Sequence, residues 1–182
     1  MNPLRAFDQF SNRHPVLVDG CVAGLLWLLF GPVFTLGYAT GMGEAIWMLT
    51  LSLMQSLPWA LRRVRPVSSG ALIVAGFLLQ LLVGPPMLGT IIFAPLTVHN
   101  LAAHGPRWAS RAGFAVAVLG SLGYGFRFAY FPFAVMQDEN APVLMSPGGI
   151  FALALVAIIC IAICTAAWAF GDLARTRRLT LQ

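Results

Sequence analysis

Residues 148–178 read GGIFALALVAIICIAICTAAWAFGDLARTRR, and this stretch decides the class of fold. Its first part, 148–171, carries no charge and is long enough for a helix to cross a bilayer core about 30 Å thick. An aspartate and three arginines follow at once. Because basic residues collect where a helix leaves the membrane on its cytoplasmic side, the pattern predicts a membrane-spanning helix that ends in the cytoplasm.

The composition of the whole 182-residue chain agrees with a lipid environment. Hydrophobic residues make up 59% of it and charged residues only 9%, whereas a soluble domain carries about 25% charged residues to cover its surface. The mean hydropathy of +0.82 points the same way. These values exclude a disordered chain and an ordinary cytosolic enzyme. The three cysteines lie in apolar runs and imply no disulfide framework.

Five further apolar stretches are long enough to cross a bilayer core, which takes about 17–25 helical residues. Together the stretches predict a single-domain, all-α integral membrane bundle of six transmembrane helices over residues 1–182, at 16–36, 45–61, 67–83, 87–103, 112–131 and 148–171. The third and fourth stretches are short, so a re-entrant hairpin is the alternative there. Membranes tolerate such a hairpin when its backbone is buried in protein.

The arginines sort to one side of this predicted bundle. All eleven basic residues are arginines, and six crossings place ten of them in the N-terminal tail and after the second, fourth and sixth helices. The positive-inside rule then puts both termini in the cytoplasm and predicts a multi-pass protein of the plasma membrane. Each basic cluster adjoins a helix end, so the charge indicates topology and contact with membrane lipid rather than a nucleic-acid partner.

Arg127 is the arginine that this topology leaves toward the outer side. It lies well inside the predicted fifth helix, between the aromatic residues Tyr124 and Tyr130. A charge within the membrane is costly and is a functional candidate by default. The candidate partners are Glu44, at the outer start of the second helix, or Asp138 and Glu139 in the loop after the fifth. We therefore predict a signal-sensing site at the outer leaflet formed by Arg127, Glu44, Tyr124 and Tyr130, the alternative being that Arg127 snorkels to the headgroups.

Two histidines near the inner end of the fourth stretch are candidate haem or metal ligands. His99 and His104 are five residues apart, about 140° around a helix, so each would need a partner on another helix. The alternative is an interfacial side chain that caps carbonyl groups or meets lipid headgroups. The sequence contains no catalytic motif and predicts no resident cofactor or metal, with haem kept open. Cys160 and Cys164 favour packing over thiol chemistry.

Small and polar residues inside the predicted helices are assigned to architecture. Gly20 and Gly24 in the first helix predict close helix packing, or alternatively the face of a homodimer. Gln55 and Gln80 are mid-helix amides that we expect to bridge neighbouring helices. Asp19, one turn into the first helix, suits a helix N-terminus through the helix dipole.

The sixth predicted helix continues past the membrane without a proline. Residues 172–182 predict the start of a cytoplasmic signalling helix, and its candidate output residues are Asp172, Arg175, Arg177 and Arg178. A chain that stops in mid-helix is expected to belong to a longer signalling protein. The loop at 132–147 is too short to fold as a sensor domain, so a stimulus is expected within the bilayer or at its outer face.

Five short segments, in order along the chain, carry a resemblance to a known family. They are RHPVLVD at 13–19, QSLPWALRR at 55–63, LQLLVG at 79–84, AAHGPR at 102–107 and GDLARTRR at 171–178. The chain resembles the N-terminal transmembrane input region of actinobacterial sensor histidine kinases of the NarL/DesK-like two-component family. The resemblance implies a homodimer, a cytoplasmic ATP-dependent histidine kinase module after residue 182, and a response regulator as partner. It also implies that a stimulus, haem in some relatives and envelope stress in others, repacks the helices and shifts the sixth.

Two other classes of membrane protein fit the composition. A small transporter subunit is disfavoured, because the chain has no inverted-repeat halves with paired broken helices and few polar residues to line a path. A haem-binding or redox membrane protein would need two histidines on facing helices.

Overall fold

The computed structural model describes residues 10–11, 13–85, 88–136 and 147–180, and these residues form an all-α protein. Six α-helices of 12 to 34 residues and two short 3₁₀ helices follow one another along the chain. In order they are α1 (Pro15–Tyr38), α2 (Met42–Ser56), η1 (Leu57–Leu61), α3 (Pro66–Val83), η2 (Gly89–Ile92), α4 (Phe93–His104), α5 (Arg107–Met136) and α6 (Pro147–Thr180). The predicted all-α class is confirmed.

Proline and glycine set several of the helix boundaries. Pro15 and Pro66 lie at the starts of α1 and α3. A backbone N–H at this position has no acceptor within the helix, so a proline, which lacks the N–H, costs no hydrogen bond there. The chain leaves α3 at Gly84 and α4 at Gly105, both in extended conformations. A side chain at Gly105 would place its Cβ 2.8 Å from the carbonyl oxygen of Leu101. The turn after α4 therefore needs a glycine for close approach.

The helix α4 is the innermost of the six although it is the shortest. It packs against α3, α5 and α6, and seven of its 12 residues are buried. On the other side of the bundle, α1 packs against α2, η1 and η2. One core cluster joins the two sides through Ala23 of α1, Trp59 of η1, Ile73 of α3 and Phe93 of α4.

Three helices in the described part of the chain are long and apolar enough to cross a membrane. The segments are Pro15–Val33 in α1, Pro66–Val83 in α3 and Ala154–Thr180 in α6, with mean hydropathies of 2.0, 1.9 and 2.4. Their outward surfaces carry large apolar side chains such as Leu28 and Leu72. A lipid environment covers surfaces of this kind, so the molecule is a helical membrane protein.

The other three α-helices differ from the predicted crossings in instructive ways. The helices α2 and η1 together cover the predicted second crossing. The predicted fourth crossing is divided into η2 and the 12-residue α4, which is only about 18 Å long. The helix α5, with 30 residues, extends beyond its predicted stretch at both ends. The number of crossings and the orientation of the termini stay predictions.

The helix α6 continues beyond the predicted crossing, as the sequence indicates. It has 34 residues and ends at Thr180. A helix of this length measures about 51 Å, whereas the bilayer core is about 30 Å thick. The helix α6 is therefore about 20 Å longer than the apolar core of a bilayer is thick.

Candidate functional site

One buried carboxylate holds two arginines together at one end of the helix bundle. The side chain of Asp19 in α1 is fully buried. Its Oδ1 lies 2.9 Å from Nη2 of Arg62, and its Oδ2 lies 3.0 Å from Nε of Arg63. Arg63 also donates from Nη1 to Oγ of Ser11 at 3.1 Å. Since a buried charge is costly unless it is paired, the two arginines offset the burial of this carboxylate.

The guanidinium of Arg62 is held by more than its carboxylate partner. Its central carbon lies 3.5 Å from the centroid of the Trp59 ring, a cation–π contact. The side-chain amide of Asn100 in α4 donates to the carbonyl oxygen of Arg62 at 3.1 Å. The position of the Arg62 guanidinium is therefore fixed by the Trp59 ring, by the Asp19 carboxylate and by the bond from Asn100 to its own backbone.

A cavity of about 370 Å³ lies beside the arginine pair. It is lined by residues of η1, the turn after it, α4 and the end of α6: Trp59, Arg62, Arg63, Leu96, His99, Asn100, His104 and Arg178. We call it the basic cavity. None of these eight described lining residues is acidic, and three arginines stand there against the single carboxylate of Asp19.

Both candidate histidines line the basic cavity. Nδ1 of His99 lies 3.2 Å from the carbonyl oxygen of Ala167 in α6; because a carbonyl only accepts, Nδ1 carries the proton of this bond. His104 lies just beyond the predicted fourth crossing. Partial burial of its ring, and then the charge of Arg178, lower the pKa of His104 below the ordinary value of 6.5. The two residues share a cavity wall, and haem stays a prediction.

The described residues contain no group of three or more His, Cys, Asp or Glu side chains that could hold a metal ion. Cys164 is buried and Cys160 is half-buried within α6. Both thiols occupy positions that suit small apolar side chains, as the packing interpretation expects.

Hydrogen bonds tie α6 to α4 and α5 on the cavity side. Arg175 donates from Nη2 to the carbonyl oxygen of Leu101 at 3.2 Å and to that of Gly105. A cation at the C-terminal end of a helix also complements the helix dipole. Trp168 donates from its indole nitrogen to Oγ of Ser110 in α5 at 3.0 Å.

The backbones of α4 and α6 approach each other closely at Gly171. A Cβ there would lie 2.5 Å from the carbonyl oxygen of His99 and 2.6 Å from Cβ of Ala102. Such distances exclude any side chain, because the obstacle is backbone rather than a flexible side-chain end. We call the contacts of Arg175, Gly171 and His99 between the two helices the α4–α6 seam.

Two glutamines form a polar cluster between α2 and α3. Gln55 donates to Oε1 of Gln80 at 2.7 Å, which confirms that these amides bridge neighbouring helices. Thr90 of η2 donates to Oε1 of Gln55 at 2.6 Å, and Gln80 donates to the carbonyl oxygen of Pro85 at 3.2 Å. Both amides thus have partners, which a buried polar group requires.

The predicted sensing residues lie toward the opposite end of the bundle. Arg127 donates from Nη2 to the carbonyl oxygen of Gly84, joining α5 to the end of α3. Glu44 accepts from the amide and hydroxyl of Thr40 at 2.8 and 2.7 Å. These bonds lower the pKa of the exposed Glu44 carboxyl. Tyr124 is half-buried in α5.

The pairing of Arg127 with Glu44 stays a prediction, since the bonds that are described for the two residues go to different partners. The side chain of Tyr130 lies outside the described part of the structure. Its position in α5 is described, and its predicted role in sensing is untested.

The two glycines that we predicted for helix packing have different surroundings, and their predicted role stays a prediction. A Cβ at Gly20 would lie 3.6 Å from Cβ of Ala60, an ordinary contact, and one at Gly24 would meet no atom within 4 Å. Neither residue is required for close approach within the chain. Gly171 has that role, and the open side of Gly24 leaves the predicted homodimer face untested.

Sequence reasoning missed that Asp19, Trp59, Arg62 and Asn100 belong to one site. Asp19 was assigned to a helix dipole and Arg62 to a charged stop after the second helix. The scarcity of acidic residues could have indicated this site. In so apolar a chain, a carboxylate on the same side of the membrane as two arginines is expected to pair with them. Asn100 gave no signal, since its role depends on how α4 packs.

The fold and this site define a helical membrane protein with a basic cavity at one end of its bundle. The model of a family described as a domain of unknown function, DUF7134, matches residues 7–178. The chain therefore belongs to the DUF7134 family. A search of curated proteins and a search of solved structures each gave no match.

Proposed function

We propose that this chain is the membrane-embedded sensory input domain of a two-component histidine kinase. In this proposal six helices cross the plasma membrane, both termini are cytoplasmic, and α6 transmits the signal to a kinase module. The observation that carries the proposal is α6 itself. It is unbroken over 34 residues, longer than the bilayer is thick, and it is joined to the innermost helix at the α4–α6 seam.

The position of the arginines supports the proposed topology. Asp19 near the start of α1 contacts Arg62 after η1, and Arg175 of α6 contacts the end of α4 at Gly105. Arg178 joins Arg62 at the basic cavity. Three parts of the chain thus bring charged residues to one end, and arginines predominate there, so the positive-inside rule assigns this end to the cytoplasm.

The central position of α4 supports transmission to α6. Asn100 of α4 is bonded to the backbone of Arg62 on the α1–α3 side. On the other side, His99 is bonded to Ala167 of α6. A repacking of α1 to α3 is therefore expected to move α4, and α4 touches α6 directly at Gly171. For a stimulus to act, it must bind the two packings with different free energies.

The predicted sensing site completes the proposal at the outer end. Arg127 joins α5 to the residue at which α3 ends. A ligand or a lipid stress that competes for this guanidinium would separate the ends of two helices that both pack against α4. We propose Arg127, Glu44 and Tyr124 as the residues that receive the stimulus.

A junction scan tests whether α6 is an output helix. The complete chain is fused after residue 180 to the dimerisation and kinase module of a characterised histidine kinase, with zero to seven residues inserted at the junction. A helix that signals by rotating its partner predicts a kinase output that rises and falls with a period of about 3.6 residues. An output that is constant across all eight junctions contradicts the proposal.

A variant of the α4–α6 seam tests, in the same assay, whether the packing of α4 against α6 controls the kinase output. In the most active fusion, Gly171→Ala is expected to shift the output strongly, because it forces α4 and α6 apart. Gly120→Ala in α5, whose added Cβ meets no atom within 4 Å, is the matched control and should leave the output unchanged. A transporter subunit would show neither effect.

A further inference from the structure

The basic cavity combines three arginines with polar groups that have unused hydrogen-bonding capacity. A guanidinium has five N–H donors. Nη2 of Arg62 donates a hydrogen bond to Asp19 and Nη1 of Arg63 donates one to Ser11, while Nε of Arg63 makes an ion-pair contact with Asp19. The remaining guanidinium nitrogens have no acceptor among the described residues.

Trp59, in the wall of the same cavity, carries a donor that has no acceptor among the described residues. It lines the cavity and is only 4% exposed. Its indole Nε1 is buried and has no acceptor within the described part of the chain. A buried N–H without an acceptor is rare in proteins and indicates a partner that is not part of the polypeptide.

The charge balance identifies the sign of that partner. Arg62, Arg63 and Arg178 bring three positive charges, and the one carboxylate in contact with them is that of Asp19. Arg178 forms no ion pair with any described residue. Two positive charges therefore remain for a ligand, and only an anion gains from them.

The geometry points to a binding site for a phosphate group in the basic cavity. Arginine donates paired hydrogen bonds to phosphate oxygens, which makes it the preferred residue for phosphate recognition. The cavity lies at the arginine-rich end of the bundle, where apolar helices give way to polar residues, and basic pockets at this depth take anionic lipid headgroups. The phosphate is that of an anionic phospholipid or a soluble phosphate. The inference concerns binding alone and does not depend on the proposed function.

The most direct variant of this site is unsuitable as a test. Replacing Arg62 leaves the buried Asp19 with one partner fewer, and this loss is expected to destabilise the fold whether or not a ligand binds. Arg178 is exposed and free of ion pairs with the described residues, so its replacement leaves the fold intact. Arg177, its neighbour on α6, does not line the cavity and provides a control with the same change of charge.

The experiment measures lipid binding to the complete chain by native mass spectrometry. The detergent-solubilised protein is titrated with dioleoylphosphatidylglycerol and, separately, with dioleoylphosphatidylcholine. We expect preferential binding of phosphatidylglycerol. Arg178→Gln should weaken this binding about fivefold, Arg177→Gln should change it less than twofold, and Arg178→Lys should recover most of it.

A second titration with inorganic phosphate identifies the source of the group. If millimolar inorganic phosphate reduces the binding of phosphatidylglycerol, the result supports a site that binds the lipid through its phosphate group. Phosphate binding without lipid preference, reduced by Arg178→Gln alone, supports a soluble phosphate as ligand. Equal effects of Arg177→Gln and Arg178→Gln, or no binding of either probe, would overturn the inference.

Discussion

The two ends of the bundle handle their charged residues in opposite ways. At the arginine-rich end, Asp19 is shared by Arg62 and Arg63, and the excess charge faces a cavity. At the other end, Glu44 is bonded within its own helix terminus and Arg127 to a backbone carbonyl. The arginine-rich end therefore pairs opposite charges from distant parts of the chain. In the bonds described at the other end, Glu44 is held by Thr40, four residues away, and Arg127 by the backbone where α3 ends.

Substitutions at the two ends are therefore expected to differ in how far their effects extend through the bundle. A substitution at the shared carboxylate alters α1, η1 and the cavity together, because several elements meet there. A substitution at Glu44 alters only the first turn of α2. The predictions below test this contrast, starting with the change that disrupts the arginine-rich end most.

The largest effect is expected at the α4–α6 seam. Gly171→Ala places a Cβ 2.5 Å from a carbonyl oxygen of α4, and the backbones must separate to accept it. We expect a loss of about 2–3 kcal/mol in the free energy of unfolding. Reversible unfolding in mixed detergent micelles, followed by circular dichroism, measures it. Gly120→Ala should stay close to wild type, and an equal loss in both variants would show that the seam is not special.

The second effect compares one carboxylate at each end. Asp19→Asn leaves two arginines without their shared partner, and because both are partly exposed we expect a loss of about 2 kcal/mol rather than the larger cost of a fully buried pair. Glu44→Gln makes the same chemical change at a fully exposed position, where Gln can still accept the bonds from Thr40, and should destabilise the protein less than Asp19→Asn does. The same unfolding assay decides. If Glu44→Gln is the more harmful, the contrast between the ends is wrong.

The class of fold and most helix positions were predictable because they depend on local composition. The apolar stretch 67–83 falls within α3 (Pro66–Val83), and the stretch 148–171 falls within α6 (Pro147–Thr180). The basic cavity was not predictable in the same way. Its residues come from η1, α4 and α6, and their meeting depends on the packing of α4, which no local pattern in the sequence encodes.

Gly171 illustrates the same limit in detail. The sequence favours Gly20 and Gly24 for close packing because small residues spaced by four are typical of helix contacts. The contact actually falls on a glycine followed by Asp172, at the edge of the predicted crossing. Whether a glycine contacts the backbone of another helix depends on how that helix packs against it. The sequence around the glycine does not contain this information.

The third prediction concerns the uncharged middle of the bundle, between the two ends. Gln55→Leu removes the donor to Gln80 and the acceptor for Thr90. Hydrogen bonds between membrane helices are worth about 1 kcal/mol, so we expect a loss of that size. The double variant Gln55→Leu with Gln80→Leu should cost little more than the single one. Simple additivity of the two losses would show that the amides act separately.

The smallest effect is a pH dependence that sharpens the description of the cavity. His104 faces Arg178, Arg62 and His99, and its pKa in the folded protein lies below 6.5. As the pH falls below 6.5, the unfolded chain binds a proton before the folded one does, so stability decreases on acidification until the folded pKa is reached. His104→Gln should flatten this part of the stability profile between pH 7.5 and 5.5, taken here as about one unit either side of the usual histidine pKa.

The occupied cavity should reverse that shift. A phosphate group next to the ring favours the charged imidazolium, so phosphatidylglycerol is expected to raise the pKa of His104 in a nuclear magnetic resonance titration of labelled histidine. Phosphatidylcholine serves as the control lipid. A pKa that both lipids leave unchanged would separate His104 from the bound phosphate.

The contact at Gly171 restricts how α6 can move. Because a carbonyl oxygen of α4 lies where a Cβ at Gly171 would stand, sliding α6 along α4 would force the two helices apart, whereas a tilt about this contact would preserve it. About 36 Å of helix lies on the Pro147 side of the contact and about 14 Å on the Thr180 side, so α6 is a lever with unequal arms. A displacement of its far end reaches the arginine-rich end reduced by a factor of about 2.5 and reversed in direction.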